Sequence, residues 1–395
     1  GLEYQLSAIQ NNRAIFVLWA ITGKLDTPGA IYLNAKGLET PKLFEIPEDD
    51  KPIGVDEFPL FYKFSGLGQF SRFPKAVLED EPYPVRGLMI LGGSPVLSFP
   101  DSKSWREAYK KLDCLIVLDR YFTEDARYAD VVFPACSLFE VPKAVPGPEG
   151  PHIVEPLIEP VGESKNDVLI MGAIAKKLGF GDKLPQTEEE LRSWLLSGTA
   201  PYAGDFGTSA DQKKEKHYKK YETGELRADG KPGFPTPSGK LEICSTILEE
   251  NGFVPYPEYK DVRSIPELAG KEYPFTMTSG ARSNNRMGVF GANLDKIAEI
   301  EPYPFVDINE EDAKEIGIKD GDMVKVITPF ADGTFKAKIR GIARHAIHIP
   351  HGGGSAYMAE PWKNGNVNDL CSLDYADPMT GFVLIKSVPC RVEKV

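Results

Sequence analysis

No C-x-x-C pair occurs among the five cysteines, Cys114, Cys136, Cys244, Cys371 and Cys390, and all are far apart in the chain. That spacing argues against a disulfide framework and against an iron–sulfur cluster held by this chain alone. No run of eighteen apolar residues occurs either, so no membrane span is expected. Histidine is scarce, with 5 in 395 residues, and the G-x-S-x-G, H-E-x-x-H and G-x-x-x-x-G-K-(S/T) patterns are missing. Hydrolytic, zinc and P-loop chemistry therefore have no sequence support. Basic charge is in deficit: 46 Lys and Arg stand against 58 Asp and Glu, a net charge of −12. A nucleic-acid partner is excluded on that balance, because phosphate backbones need a basic surface. The chain opens Gly1-Leu2-Glu3 without an initiating Met, a basic n-region or an apolar h-region, and this start reads as a cut or processed piece.

What is present is organised around Gly87 to Cys136. Three short branched apolar runs, Leu88–Leu91, Cys114–Leu118 and Val131–Phe133, read as strands buried on both faces. Between the first two, Trp105, Ala108, Tyr109 and Leu112 recur at three- and four-residue steps, an amphipathic helix entered through Asp101 or Ser102. A strand, helix and strand within some thirty residues form a parallel crossover unit, whose strand ends share one edge. At that edge stand Gly92, Gly93, Ser94 and Pro95, then Asp119 through Thr123. Glycines let backbone N–H groups approach a phosphate, and an acidic side chain accepts from a ribose or a base, so a nucleotide-like ligand fits both loops. A common Gly-Gly-Ser-Pro turn and a helix-capping Asp119 explain the same residues without a ligand.

The order of strand, Gly-x-Ser-Pro, helix, strand, Asp-x-x-Phe-Thr-Glu, Ala-Asp-Val-Val and Pro-Ala resembles the molybdopterin oxidoreductases of the dimethyl sulfoxide reductase type. The residues carrying the resemblance are Gly92, Ser94, Pro95, Asp119, Phe122, Thr123, Glu124, Ala129, Asp130, Val131, Val132, Pro134 and Ala135. In that family these loops hold the guanosine end of a molybdopterin guanine dinucleotide, and the family usually has Asn where Ser94 stands. Gly23, Asp26, Pro28 and Gly29 match a turn that lies mid-chain in the family, after a helix read here over Gln5–Thr22. The resemblance thus implies a missing N-terminal part carrying the metal ligand and, in many members, an iron–sulfur cluster.

Further along, 30–84 reads as an ordered irregular segment. After Glu140 and a proline-rich stretch, Ser164 offers a cap for a helix over Asp167–Leu178, and Thr187 with Glu190 forms a capping box for a helix through Leu196. Lys213–Lys220, the most basic run, reads as a solvated face. From Tyr273 onward short β runs, one short helix and Gly-Asp turns predict a closed barrel, and 312–326 resembles the double-psi barrel that ends this family. There Thr278, Gly280, Arg282 and Ser283 follow a strand, and the Arg fork suits a phosphate or pterin carbonyl. Gly288-Val289 replaces the family's usual His-Ser pair. His345, His348 and His351 do not form a metal site by spacing: the first two fall on opposite strand faces and Pro350 breaks the strand before the third. By resemblance His351-Gly352-Gly353-Gly354-Ser355 is a flexible cofactor-facing loop, Asn368 meets the pterin edge, and Asp377-Pro378-Met379-Thr380-Gly381 with Lys386 completes the family's C-terminal pattern.

The fold class expected is therefore α/β plus all-β: a Rossmann-like parallel-sheet portion over 1–145, a helical and irregular connection over 146–270, and a double-psi β-barrel over 271–395. The resemblance implies the C-terminal portion of a molybdenum or tungsten oxidoreductase that binds molybdopterin guanine dinucleotide for two-electron or oxygen-atom chemistry on a small substrate. An electron-transfer subunit is the further partner it implies, and the isolated chain is expected to be inactive. A subunit of a split enzyme and a noncatalytic cofactor-binding module are the alternatives.

Overall fold

The computed structural model describes residues 1–33, 51–145, 150–197, 217–280, 293–360 and 362–395. Two compact bodies result, one from Gly1–Asn12, Lys51–Val132 and Glu258–Val395, the other from Arg13–Asp50 and Phe133–Pro257. The first body thus contains both the strand-rich N-terminal segment and the barrel.

Strands β1 (Gly87–Leu91), β2 (Cys114–Asp119) and β3 (Val131–Pro134) form one sheet in that order. β1 and β2 are parallel, with Gly87 opposite Cys114 and Leu91 opposite Leu118. The crossover helix runs Ser102–Lys111, and Asp101 caps it by accepting from Ser104 N. Its apolar stripe lands as the spacing requires: Trp105, Ala108 and Tyr109 are buried, and Trp105 stacks on Phe73 at 5.3 Å. Burial reaches both faces only in β2, through Leu115, Val117 and Leu118, with Ile116 half-buried between them, whereas in β1 only Ile90 is buried and in β3 nothing is. β2 is the central strand of the three. The segment read as irregular contains helices at Pro59–Ser65 and Phe73–Glu79, each started by a proline in its first turn. They are too short for sustained periodicity, so the sequence signal was weak.

The second body holds a two-stranded antiparallel pair, β4 (Lys143–Val145) and β5 (His152–Val154), and helices Asp167–Lys177 and Glu188–Leu196. Asn166, not Ser164, caps the first helix, accepting from Val168 N at 2.9 Å. Ser164 instead donates to Glu140 Oε1 at 3.1 Å. Thr187 accepts from Glu190 N as read, while the Glu190 carboxylate reaches Gln186 N, one residue earlier than a regular box. The reading of Lys220 as solvated is overturned: it is buried, with Nζ 2.6 Å from Asp26 Oδ1. A buried carboxylate opposite it supplies the charge that solvent would otherwise supply.

Glu140 organises the 137–164 segment by accepting from Ser137 N at 2.5 Å and Val161 N at 2.6 Å. Hydrogen bonds from Ser137 and then Val161 hold its carboxyl down to about 2, below the ordinary 4.5. A depressed carboxyl contributes stability above the unfolded value that is lost as pH falls through the folded one. Hydrogen exchange at the Ser137 and Val161 amides is therefore expected to quicken between pH 4.5 and about 2, and Glu140→Gln to abolish that pH step. Unchanged protection across this range would show that the carboxylate does not order the segment.

The barrel is made of β6 (Phe275–Ser279), β7 (Phe305–Asn309), β8 (Met323–Ile327), β9 (Asp332–Arg340), β10 (Ala346–Ile349) and β11 (Lys386–Lys394). It closes in the order β10-β6-β11-β8-β9-β7, with β10–β6 and β7–β9 parallel and the other described pairs antiparallel. Alternation fills it: in β8, Val324 and Val326 are buried while Lys325 between them is not. Met277, Ile308, Phe335 and Ile347 meet them in one core.

Asp377 ties the barrel's late turn to the helix Ala8–Ile21. Its Oδ1 accepts from Met379 N, Thr380 N and Thr380 Oγ1, and its Oδ2 from Ile9 N. The Asp-Pro-Met-Thr-Gly motif is thus a clamp within the first body. Among the described residues no helix is long and apolar enough to cross a membrane.

Candidate functional site

β1 and β2 end together, so their following loops share an edge. Gly92 N adds one more bond to Leu118 O at 2.9 Å, and with φ at 58° its α-carbon faces open space, with nothing within 4 Å of a Cβ placed there. Pro95 opens a short helix, Pro95–Ser98. The preceding Ser94 does not cap it with its hydroxyl but donates to Asp125 Oδ2. The other Asp125 oxygen accepts from Val96 N at 3.1 Å and Tyr109 OH at 2.8 Å. Asp125 is buried, and burial raises its carboxyl above the ordinary value against the pull of these donors. The same burial, with the Asp125 charge, pushes the Tyr109 hydroxyl up. Asp125 was not among the expected site residues, because nothing in its local sequence links it to a loop 31 residues earlier.

At the end of β2, Asp119 Oδ1 accepts from Tyr121 N at 3.0 Å, and burial raises its carboxyl. Phe122 is half exposed and meets Tyr357 edge-to-face at 4.8 Å. Thr123 Oγ1 accepts from Ala126 N at 3.3 Å, at the start of the turn Asp125–Arg127. Glu124 is 2% exposed, with Oε1 2.7 Å from Arg127 and Oε2 accepting from Ala356 N at 3.1 Å. The barrel's glycine loop is thereby fastened to the loop after β2.

That loop is packed rather than flexible. A Cβ on Gly353 would stand 2.9 Å from Asn364 O, and one on Gly354 2.7 Å from Asn366 Cβ and 3.4 Å from Leu97 Cδ2. With φ at 94° and 98°, only glycine meets both demands. Asn366 does the local capping, accepting from Asn368 N, while Asn368 reaches across. Its Nδ2 donates to Leu97 O at 2.7 Å and lies 3.4 Å from His351 Nδ1. Thus Gly92, Gly93, Ser94, Pro95, Phe122, Thr123, His351 and Asn368 are drawn to one region, with Asp119 at its edge. Asp130 is not: its Oδ2 accepts from Leu115 N at 2.7 Å, at the opposite end of β2.

The mouth of the barrel adjoins this region. Thr278 pairs with His348 and Ser279 with Ile349, so Gly280 and the Pro350–His351 segment leave the barrel side by side. Lys386 donates to Ser279 O, and its Nζ lies 3.4 Å from where a Gly280 Cβ would be. Arg282 and Ser283 lie outside the described residues. The three histidines do not converge. His345 is exposed before β10, His348 Nδ1 lies 3.0 Å from Asp307 Oδ2, and His351 sits by Asn368. Among the described residues no group of three or more His, Cys, Asp and Glu is arranged to hold a metal.

Loops at the carboxyl end of a parallel sheet, joined to a closed barrel by a glycine loop, stand where open α/β sheets take their ligands. Comparison with known families gives the group: the molybdopterin oxidoreductase family matches residues 10–177, and the molydopterin dinucleotide binding domain matches 276–389. The chain belongs to the molybdopterin oxidoreductases, of the dimethyl sulfoxide reductase type. It is 30% identical over 324 residues to the probable oxidoreductase YoaE of Bacillus subtilis, covering 80% of this chain and 44% of that protein. It is 30% identical to the F420-dependent formate dehydrogenase subunit alpha of Methanocaldococcus jannaschii, covering 69% and 39%. The solved acetylene hydratase from Pelobacter acetylenicus shares the fold, with a TM-score of 0.70 at 22% identity over 87% of this chain and 52% of that one. The chain therefore spans about half the length, or less, of these relatives.

Proposed function

We propose that this chain supplies the dinucleotide-binding part of a molybdenum or tungsten oxidoreductase acting on a small substrate, with molybdopterin guanine dinucleotide as cofactor. The observation that supports it most is the convergence of the Gly92–Pro95, Asp119–Thr123 and His351–Ser355 segments in one body, inside the two stretches the family profiles match. The residues fit such a group. Gly92 leaves backbone open for close approach, and the Asp119 carboxylate can accept from a guanine or ribose. Phe122 and Tyr357, each about half exposed and set edge-to-face, each leave an aromatic face on which a base can stack. Thr278, Gly280, Arg282, Ser283 and Asn368 are assigned to the pterin side, and the two parallel pairs in the closed barrel support the double-psi reading.

When bound, the cofactor supplies two-electron or oxygen-atom chemistry; this chain's residues bind and orient it. Asp125 holds the Ser94 loop in place, and Glu124 holds the glycine loop against it. The metal ligand, and an iron–sulfur cluster if the whole protein has one, are assigned to polypeptide matching the part of the relatives that this chain does not span. On this reading the isolated chain is inactive, and catalysis by it alone would overturn that assignment. Guanosine diphosphate, as the nucleotide end of the cofactor, is expected to slow hydrogen exchange at Gly92–Val96 and Asp119–Thr123 amides. No protection at a concentration saturating for other sites would refute the nucleotide assignment.

A further inference from the structure

The barrel's seams are unequal. β7 and β10 pair only through Ile308 with Ile347 and Asp307 with His348, whereas every other described seam runs over four or five residue pairs. Side chains therefore carry much of this join. Ile308 and Ile347 meet in the core, and alternation turns Asp307 and His348 to the outer wall. There the Asp307 carboxylate ties β7 to both neighbours. Its Oδ2 lies 3.0 Å from His348 Nδ1, and its Oδ1 2.8 Å from Arg340 Nε on β9, an ion pair without hydrogen-bond alignment. A carboxylate only accepts, so the imidazole proton sits on Nδ1, and a neutral ring leaves Nε2 as an acceptor. Nε2 is buried without a hydrogen-bond partner. An unmet buried acceptor disfavours the closed seam, and water relieves it once the seam parts. A short ladder with an unsatisfied polar atom beside it marks the place where a closed barrel opens most readily. β10 runs on from Ile349 into Pro350 and the glycine loop, whose far end stays fastened through Ala356 N to Glu124.

We propose that the β7–β10 seam is a gate in the barrel wall, parting ahead of the other seams, with the Asp307–His348 pair setting how often it does so. Parting frees the near end of the His351–Ser355 loop while Glu124 holds the far end, and a nucleotide-sized ligand enters between that loop and the loops after β1 and β2. What the gate admits rests on the cofactor-binding reading; that this seam parts first does not. The alternative is a barrel that opens as one unit.

Hydrogen exchange at single-amide resolution in the 395-residue chain compares amides bonded across β7–β10 with those bonded across β8–β9. The first are expected to exchange about tenfold faster or more, and Asp307→Ala to widen the gap by about tenfold again without moving the β8–β9 amides. Equal rates in the parent would overturn the proposal, whether or not the variant folds. A second measurement closes the seam covalently. Asp307 and His348 face each other, so Asp307→Cys/His348→Cys can be oxidised to a disulfide and reduced again. Guanosine diphosphate is expected to associate about tenfold more slowly, or slower still, with the oxidised form, and to regain the reduced form's rate after dithiothreitol. Equal association in both forms, with the loop amides still protected, would sink the gate and leave the nucleotide reading intact. Guanosine diphosphate that protects no loop amide in the parent would refute the nucleotide reading and the gate's cargo with it, while faster exchange across β7–β10 would still establish the seam that parts first.

Discussion

Lys220→Met is expected to destabilise the second body by about 3–5 kcal/mol, because it leaves Asp26 as a buried charge without its counterion. The site offers little relief. Asp26 also accepts from Lys220 N at 2.7 Å and Leu33 N at 3.2 Å, and the lysine ammonium donates to His217 O at 2.7 Å and covers the Tyr32 ring at 3.7 Å. The double variant Asp26→Asn/Lys220→Met removes both charges and keeps an acceptor for one of the two amides, which donate to different oxygens of Asp26. It is expected to recover more than half of the loss, since breaking a buried pair costs more than replacing it. Thermal unfolding with hydrogen exchange resolved to the Ala8–Ile31 and Lys220–Gly239 segments measures both. A single variant within about 0.5 kcal/mol of the parent would show that the pair is solvated, as the basic run alone implied.

Asp125→Ala is expected to cost about 2–6 kcal/mol and to weaken guanosine diphosphate binding by tenfold or more. Two buried donors, Val96 N and Tyr109 OH, lose their acceptor, at roughly 1–3 kcal/mol each. The Ser94 hydroxyl loses its anchor as well, so the loop after β1 drifts. Asp125→Asn keeps an acceptor and is expected to lose less than half as much. The two variants also differ from the parent in pH response. Burial raises the Asp125 carboxyl above 3.8, so the stability linked to its proton is fully present below that value and is lost as pH rises through the folded one. In Asp125→Asn this loss disappears. A parent whose stability does not fall across that rise, or an Asp125→Ala protein with unchanged nucleotide affinity, would remove Asp125 from the site.

The sequence carried much of this protein because its signals are local. Strand runs at Leu88–Leu91 and Cys114–Leu118 and the Trp105–Tyr109 stripe all correspond to observed elements. So does the alternation in 323–327, because each is written in periods of two or 3.6 residues. Gly92 was legible as a turn glycine for the same reason, whereas the packing that requires glycine at 353 and 354 was not, because it is made by Asn364, Asn366 and Leu97. The family resemblance rested on the same local motifs, and the family matches agree with it.

What the sequence could not give are pairings made at long range. Asp26 with Lys220 is separated by 194 residues, Glu124 with Ala356 by 232, and Asn368 with Leu97 by 271. Each is a short polar side chain whose ordinary local role, a turn, a cap or a solvated charge, is fully adequate in sequence. Asp130 shows the converse: its motif placed it with the nucleotide loops, yet its carboxylate serves the start of β2. Periodicity and turn chemistry therefore determined the elements and the candidate loops by themselves. Tertiary structure alone decided which buried polar groups meet, because an unpaired buried donor or charge is costly and its partner is chosen by packing, not by neighbours in the chain.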